Sequence, residues 1–306
     1  VRERILAVVV VNYGSSDLLS SNLVATHEAA SDATIIVVDN RSTDAERQRL
    51  TTLSRAHGWH LVAMDDNAGF GAGANAGAAE ALSRGATDLL VLNPDARIDR
   101  RSIELLSSAT ADGWTVAAPV VTDPHGHIWF AGSDLYLDDG ATRGRRRRTE
   151  HPGARLMEWL SGACLWIPRA VWEQVDGFAD DYFLYWEDVD FSRRALDAGA
   201  RLVVVEDARA IHDEGATHRA QGQRPEAKSA LYYYFNIRNR MLFAAAHLEP
   251  SDLRRWQRTA PANAWQVLLR GGRRQFVQRP GVLAAAARGL RDGRRIAHAA
   301  QPKARR

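Results

Sequence analysis

Ile5-Leu-Ala-Val-Val-Val-Val-Asn12 is an unbroken apolar run that stops at a polar residue, and the pattern returns along the first third of the chain. Thr34-Ile-Ile-Val-Val-Asp39 repeats it, His60 to Met64 and Asp88 to Leu92 follow, and Thr115 to Ala118 is a fifth instance. Short apolar runs without polar alternation are strands covered on both faces. Between them lie helix signals. Gly14-Ser-Ser-Asp17 is a turn and cap for a helix to about Ala30, and Ser42 or Thr43 caps the next. Asn67-Ala-Gly-Phe-Gly-Ala-Gly-Ala-Asn-Ala-Gly77 opens a helix through Ala78 to Arg84. Strand and helix alternating at this spacing predict an α/β doubly wound sheet. In such sheets ligands bind beyond the carboxyl ends of the strands. Asp39, Asn67 and Asn93 fall there.

The pattern then changes. His127 to Leu137 reads as short strands or a hairpin, and Thr142 to Arg148 as a mobile basic loop. Trp159-Leu-Ser-Gly-Ala-Cys-Leu-Trp-Ile167 is apolar with a Ser-Gly-Ala break, and Pro168 suits the first position of a short helix. Tyr182-Phe-Leu-Tyr-Trp-Glu-Asp-Val-Asp190 runs from aromatic residues into three carboxylates. Phe191, Ala195 and Ala198 recur at helical spacing, with Gly199 as the stop, so the acids sit on a first helical turn. Acids there are favoured by the helix dipole alone. Walled by Tyr182 to Trp186, a carboxylate is also raised toward a useful general-base pKa. Arg201 to Val205 is another strand, Ile211-His-Asp-Glu-Gly215 follows it, and Glu226 to Ala246 reads as a long aromatic helix.

A chain of 306 residues has room for about two domains. Its single cysteine, Cys164, excludes an internal disulfide and a cysteine-rich zinc site. No run approaches the ~20 apolar residues of a membrane span. Arg2 and Arg4 before the first run imitate a signal peptide, but Asn12-Tyr13-Gly14 offers no cleavage pattern. Charge is unevenly spread. From Ser251 onward there are 14 Lys and Arg against 2 Asp and Glu, which leaves 26 basic and 35 acidic residues in the body. A basic tail on an acidic body suggests that the tail faces an anionic surface. The acidic body and the lack of a recognition motif argue against nucleic acid.

Several features carry two readings. Asn93-Pro94-Asp95 ends a strand, where Asp95 either ligates a divalent cation or belongs to an Asx-Pro turn. His212 is either structural or a ligand. Gly69-Phe-Gly-Ala-Gly-Ala74 partly matches a dinucleotide fingerprint, but it follows the third strand instead of the first. Its glycines either admit a phosphate at a helix N-terminus or let helix and sheet pack closely. Arg145 to Arg148 is a solvated loop or a site for phosphates.

Taken together these pieces resemble the inverting family-two glycosyltransferases of GT-A fold. Asp39-Asn40 is similar to that family's nucleoside-binding acid, and Asn67 to Gly77 to its N-x-G-x-[GS]-x-[GA]-x-N-x-G stretch. Asn93-Pro94-Asp95 resembles a variant of the metal-binding D-x-D motif, with Asn93 in place of the first acid. Trp159 to Ala163 resembles the W-L-S-G-[AS] segment, Trp186-Glu-Asp-Val-Asp190 the E-D-x-D catalytic motif, and His212 the histidine completing the metal site. The motifs occur in order from Ile5 to about Ala246, and they look most like those of bacterial rhamnosyltransferases that build cell-wall linkers and surface polysaccharides. The Q-x-x-R-W motif of processive synthases is absent.

The resemblance implies a GT-A domain over residues 1–249, with a nucleotide-binding half (1–120) and an acceptor-binding half (121–249). A basic helical extension over 250–306 would follow. It implies transfer of a sugar, rhamnose favoured, from a dTDP or UDP donor to an acceptor hydroxyl with inversion. Asp188 would be the base and Glu187 would orient the acceptor. Asp95 and His212 would hold Mg²⁺ or Mn²⁺. Asn12, Tyr13, Asp39, Asn67, Gly71, Asn75, Asn93, Asp95, Ser161, Gly162 and Arg238 would bind the nucleotide sugar. The expected setting is cytoplasmic and peripheral at the inner face of the cell membrane, with a lipid-linked saccharide acceptor, an anionic membrane surface as partner and homo-oligomers allowed. A nucleotidyltransferase of related fold, a non-catalytic nucleotide-sugar binder and a dehydrogenase are the competing readings.

Overall fold

A computed structural model of the chain describes residues 4–213, 228–279 and 281–300. The apolar runs form strands where the sequence predicts them. β1 (Leu6–Asn12), α1 (Ser16–Ala29), β2 (Thr34–Asp39), α2 (Asp44–His57), β3 (His60–Ala63), α3 (Phe70–Ser83) and β4 (Asp88–Leu92) alternate as expected. Thr43 is the cap of α2: its Oγ1 accepts from the Glu46 backbone N–H at 3.2 Å. Next come β5 (Ala96–Ile98), α4 (Arg100–Ala109), β6 (Thr115–Thr122), β7 (Ile128–Phe130), β8 (Ser133–Tyr136), β9 (Ala141–Gly144) and a 3₁₀ turn at Arg145–Glu150. β10 (Leu156–Trp159), β11 (Cys164–Pro168), α5 (Arg169–Gln174), α6 (Glu187–Asp197) and β12 (Arg201–His212) lead to four helices. These are α7 (Ala230–His247), α8 (Pro250–Leu269), α9 (Gln275–Gln278) and α10 (Gly281–Ala299).

A nine-stranded sheet in the order β3-β2-β1-β4-β11-β6-β12-β5, with β7 added to β6, forms the centre of the fold. β1, β2, β3, β4, β6 and β12 run one way, so the sheet is mainly parallel, and β11 runs against its neighbours β4 and β6. The inner strands β1, β2 and β4 are buried almost throughout. The glycines of α3 explain how that helix lies so close to them. A Cβ on Gly77 would stand 2.5 Å from Val9 Cγ1, and one on Gly73 would stand 2.7 Å from Val11 Cγ1. This is the packing role for which glycine is selected.

Compact packing divides the chain into two units. The first comprises residues 1–133, 158–183 and 187–223, and holds the large sheet. The second comprises residues 134–157, 184–186 and 224–306. It contains most of a three-stranded sheet, β10-β8-β9, with α7 to α10. Its helices close over Tyr233, Ile237, Ala264, Val267, Leu268, Val282 and Ala286. Arg240 is 2% exposed there and lies 4.4 Å over the Trp256 ring. It donates to the carbonyls of Asp139 at 2.7 Å and Gly140 at 3.2 Å, and burial still pushes its pKa down to about 10.

Of the two readings of His127 to Leu137, short strands is the one found: β7 pairs with β6 and β8 joins the other sheet. Two expectations change. The arginine-rich segment is ordered and not a mobile loop. Arg143 is bound to Asp139 at 2.5 Å, Arg147 to Glu150 at 2.7 Å and Arg148 to Asp134 at 2.6 Å. The long helix begins at Ala230, and Glu226 lies outside the described residues. No helix among the described residues is long and apolar enough to cross a membrane.

Candidate active site

The approach to the carboxylates is held in an uncommon backbone conformation. Tyr185 and Trp186 have φ of 66° and 77°, left-handed values that cost a non-glycine residue about 1–3 kcal/mol each. The second unit supplies what holds them. Asn239, fully buried, donates its Nδ2 to the carbonyls of Leu184 at 3.0 Å and Tyr185 at 2.8 Å. The Trp186 ring packs 5.7 Å from Phe243, and Tyr185 packs 5.3 Å from Tyr232. The chain then enters α6 with Glu187 and Asp188 on the first turn.

The three acids of that turn differ. Asp190 is bound by Arg194 Nε at 2.7 Å, and Arg194 also donates to the Gly177 carbonyl at 2.8 Å, so this carboxylate anchors structure. Among the described residues Asp188 meets no cation. Its oxygens accept from the backbone N–H of Gly162 at 3.1 Å and of Val189 at 2.9 Å. Burial pushes its pKa up to about 6 against those two bonds. Glu187 is 7% exposed, and its Oε2 has no hydrogen-bond partner among the described residues. Burial first, and the Asp188 charge second, hold Glu187 well above the usual carboxylate range. Burial therefore raises both carboxyls of the pair, and Asp188, at about 6, is the one suited to take a proton near neutral pH.

A second polar group lies one short turn away. β11 pairs with β4 so that Cys164 faces Leu92, and Asn93 N–H donates to the Ala163 carbonyl at 2.9 Å. Gly162 thus contacts Asp188 while its neighbour Ala163 contacts Asn93. On the other side β12 pairs with β5, placing His212 opposite Ala96 and beside Asp95. His212 Nε2 stands 3.0 Å from Asp95 Oδ1 and 3.5 Å from Asn93 Nδ2, with both Asp95 and His212 buried. Two ligands at right angles on a six-coordinate cation, each about 2.0–2.1 Å from it, lie about 2.9 Å apart. The spacing of this pair and its oxygen and nitrogen donors fit a divalent ion. No third His, Cys, Asp or Glu joins them among the described residues, so substrate oxygens or water would complete the set. The Trp129 ring lies 4.6 Å from the His212 ring and is 38% exposed, and the sequence contains no signal for it.

Residues 7–156 match the glycosyl transferase family 2 profile. The chain carries a family-two domain and is a glycosyltransferase. It is 28% identical over 260 residues to the N-acetylglucosaminyl-diphospho-decaprenol L-rhamnosyltransferase of Mycobacterium tuberculosis, covering 75% of this chain and 81% of that protein. With the dTDP-rhamnosyl transferase RfbF of Shigella flexneri it shares 22% over 236 residues, 76% of this chain and 78% of that one. It therefore resembles bacterial rhamnosyltransferases. The mannosyltransferase PcManGT of Pyrobaculum calidifontis, solved with GDP-Man and Mn²⁺, has the same GT-A fold at 15% identity and TM-score 0.56, over 95% of this chain and 88% of that one.

The remaining positions expected to bind the transferase's donor are mostly engaged within the chain. Asp39 is fully buried. Its Oδ2 accepts from Arg47 Nε at 2.5 Å, and its Oδ1 accepts from the backbone N–H of Ser42 at 3.0 Å and from the Ser42 hydroxyl. Asn12 is also fully buried; its Nδ2 donates to Glu46 at 3.3 Å, while the neighbouring Tyr13 is 50% exposed. Asn67 Oδ1 accepts from Asn40 Nδ2 at 3.0 Å and Gly69 N–H at 3.1 Å. Asn75 holds both backbone groups of Phe178, at 2.8 and 2.9 Å. A Cβ on Gly71 would meet Phe178 Cβ at 3.2 Å. The first N–H of α3, at Phe70, is taken by the Phe183 carbonyl at 2.9 Å. Ser161 Oγ accepts from Ala163 N–H at 3.3 Å, and Gly162 N–H goes to Asp188, so those donors are already directed. Arg238 belongs to the second unit, where its Nη1 donates to Asn239 Oδ1 at 2.6 Å. Glu214, next to Asp213, lies outside the described residues.

Proposed function

We propose that this glycosyltransferase moves a sugar, rhamnose favoured, from a dTDP or UDP donor to a hydroxyl of a polyprenyl-diphosphate-linked saccharide, with inversion at the anomeric carbon. The observation that carries the reading is Asp188: a carboxylate with no cation beside it among the described residues, raised to about 6, tied through Gly162 and Ala163 to the Asn93–Asp95–His212 group. The names of the two rhamnosyltransferase relatives support the sugar, and that of the mycobacterial relative supports the acceptor.

Asp188 takes the proton of the acceptor hydroxyl as that oxygen attacks. A base with pKa near 6 is mostly ionised at neutral pH and still basic enough to accept a proton in the transition state. Glu187, whose Oε2 has no partner among the described residues, orients the acceptor. Asp95 and His212 would hold Mg²⁺ or Mn²⁺, which as a Lewis acid offsets charge on the departing diphosphate. Asp39 and Tyr13 serve the nucleoside: Asp39 accepts the base N3–H through a remaining lone pair while Arg47 and Ser42 hold it in place. Asn12, Asn67, Gly71 and Asn75 shape that end of the site, with Asn93, Ser161 and Gly162 toward the sugar. The 1–249 segment is the catalytic part, and the helices from 250 onward place it at the inner face of the membrane.

The test is a thermal-shift screen of nucleotide sugars with and without Mg²⁺ and Mn²⁺. A ligand at 100 times its Kd stabilises a two-state protein by about 2.7 kcal/mol, enough to rank donors. The expected result is metal-dependent stabilisation by dTDP-rhamnose above GDP or CMP sugars. Equal response to all bases, or none to any, would overturn the donor assignment.

A further inference from the structure

The outer face of the α8–α10 pair has an apolar end and a basic end. On α8, Arg254, Arg258, Trp265 and Leu269 fall within about 60° of one another around the helix. On α10, Leu283, Arg294 and His298 do the same. Arg254, Gln257 and Arg258 of α8 meet Arg294 and His298 of α10 in one groove of about 550 Å³. Arg254, Arg258 and Arg294 are exposed and have no carboxylate partner among the described residues. At the other end Trp265 is 51% exposed, Leu283 42% and Leu269 36%, with Leu231 of α7 at 54%. The Trp265 ring stacks 5.5 Å from Phe276, and Arg270 reaches the Tyr232 hydroxyl at 3.4 Å, so these helix ends converge. Exposed Arg270, Arg273 and Arg274 lie beside them. From residue 251 to 299 the only acids are Asp252, bound by Arg155 and Arg255, and Asp292, bound by Arg291 and Tyr234.

We propose that this face docks on an anionic lipid bilayer, with Trp265, Leu269, Leu283 and Leu231 in the headgroup boundary and Arg254, Arg258 and Arg294 gripping lipid phosphates in the groove. The inference rests on the reading of a membrane-borne acceptor and names the surface that meets the membrane. Trp256, Val267, Leu268 and Val282 are excluded from this role, because they are buried in the unit's own core. What remains exposed is an aromatic and leucine cluster beside unpaired guanidiniums, the composition of an interfacial surface. A protein partner of this polarity would need a matching acidic and apolar face; a phosphatidylglycerol surface supplies both at once.

The 306-residue chain is floated with vesicles of phosphatidylglycerol and phosphatidylcholine, and with phosphatidylcholine alone. Wild type binds the first at low salt and not the second. R254Q/R258Q/R294Q weakens binding on the order of 100-fold, given about 1 kcal/mol per basic residue at such a surface. W265S/L283S weakens it by about 10-fold or more. All three proteins keep the same stabilisation by dTDP with Mn²⁺, since none of these residues belongs to the donor site. Wild type that fails to float, or variants that float equally well, overturn the docking face. Loss of self-association in W265S/L283S without vesicles also overturns it, because the face then pairs two copies. If dTDP stabilisation persists while docking fails, the transferase reading survives alone. If flotation behaves as stated and no nucleoside diphosphate stabilises, the docking face stands and the donor reading falls.

Discussion

Two buried carboxylate sites in the first unit were built differently. At the end of β2, Asp39 is enclosed by Arg47 and Ser42 and is fully buried. At the start of α6, Glu187 and Asp188 share a buried corner with no cation among the described residues. A buried acid with a guanidinium partner holds structure, and removing the partner strands its charge. A buried acid without one is costly, and its persistence points to chemistry that needs a shifted pKa. Asp190 repeats the first arrangement within the very turn that shows the second, since Arg194 binds it.

The sharpest way to break this contrast is Asp188→Asn. The amide keeps the shape and accepts no proton, so turnover is expected to fall about 10²–10⁴-fold with donor affinity unchanged. Single-turnover transfer within a few-fold of wild type would remove Asp188 from the chemistry. Glu187→Gln sharpens the same point from the other side. Glu187 is held well above the usual carboxylate range and takes no proton in this scheme, so the neutral amide is expected to retain far more activity than Asp188→Asn does.

Next in size is the Asp95–His212 pair. Asp95→Ala or His212→Ala deletes one of two proposed ligands, and diphosphate affinity with Mn²⁺ is expected to drop at least about 10–100-fold, the range seen when even outer-shell partners are lost. Calorimetry with and without Mn²⁺ reads it; identical affinities in both conditions would return His212 to a structural role. Asp39→Ala comes third, at about 1.5–3 kcal/mol of dTDP or UDP binding, the worth of a hydrogen bond to a charged group. This variant also leaves Arg47 without its partner, so its melting temperature should fall together with its affinity. A loss of stability with full nucleotide affinity would assign Asp39 wholly to structure.

The contrast explains what was legible in the sequence. β1, β2 and β4 were readable because strands buried on both faces must be apolar throughout. The acid cluster and its helix were readable from local order alone. What was not readable depends on contacts that residue type alone does not announce. Gly162 reaches Asp188 across 26 positions, and Asn239 reaches the Leu184 carbonyl across 55. Arg143, Arg147 and Arg148 looked like a solvated basic run because Asp139, Glu150 and Asp134, which engage them, carry no marker of that role. Trp129 reaches His212 only because β7 is added to β6 beside β12. The glycines of α3 carried two readings, and only the distance to Val9 and Val11 favours packing.

The smallest expected effect separates the two sites by the sign of their stability. Asp188 titrates near 6 in the folded chain, above the value of about 3.9 for an unfolded aspartate. Between those values the folded state holds a proton that the unfolded state has lost. Stability from this group is therefore complete below about pH 4 and declines as pH rises through 6, the reverse of an acid held by a guanidinium. Asp188→Asn removes the buried charge. Its melting temperature is expected to equal that of wild type at acid pH, to rise above it between about pH 4 and 6, and to keep a constant lead at higher pH. Asp39→Ala should lie below wild type at neutral pH. Melting curves of the three proteins across that range read both signs at once. If Asp188→Asn melts below wild type at pH 8, Asp188 contributes net stability through its bonds to Gly162 and Val189, and it joins Asp39 and Asp190 as an acid that holds the fold.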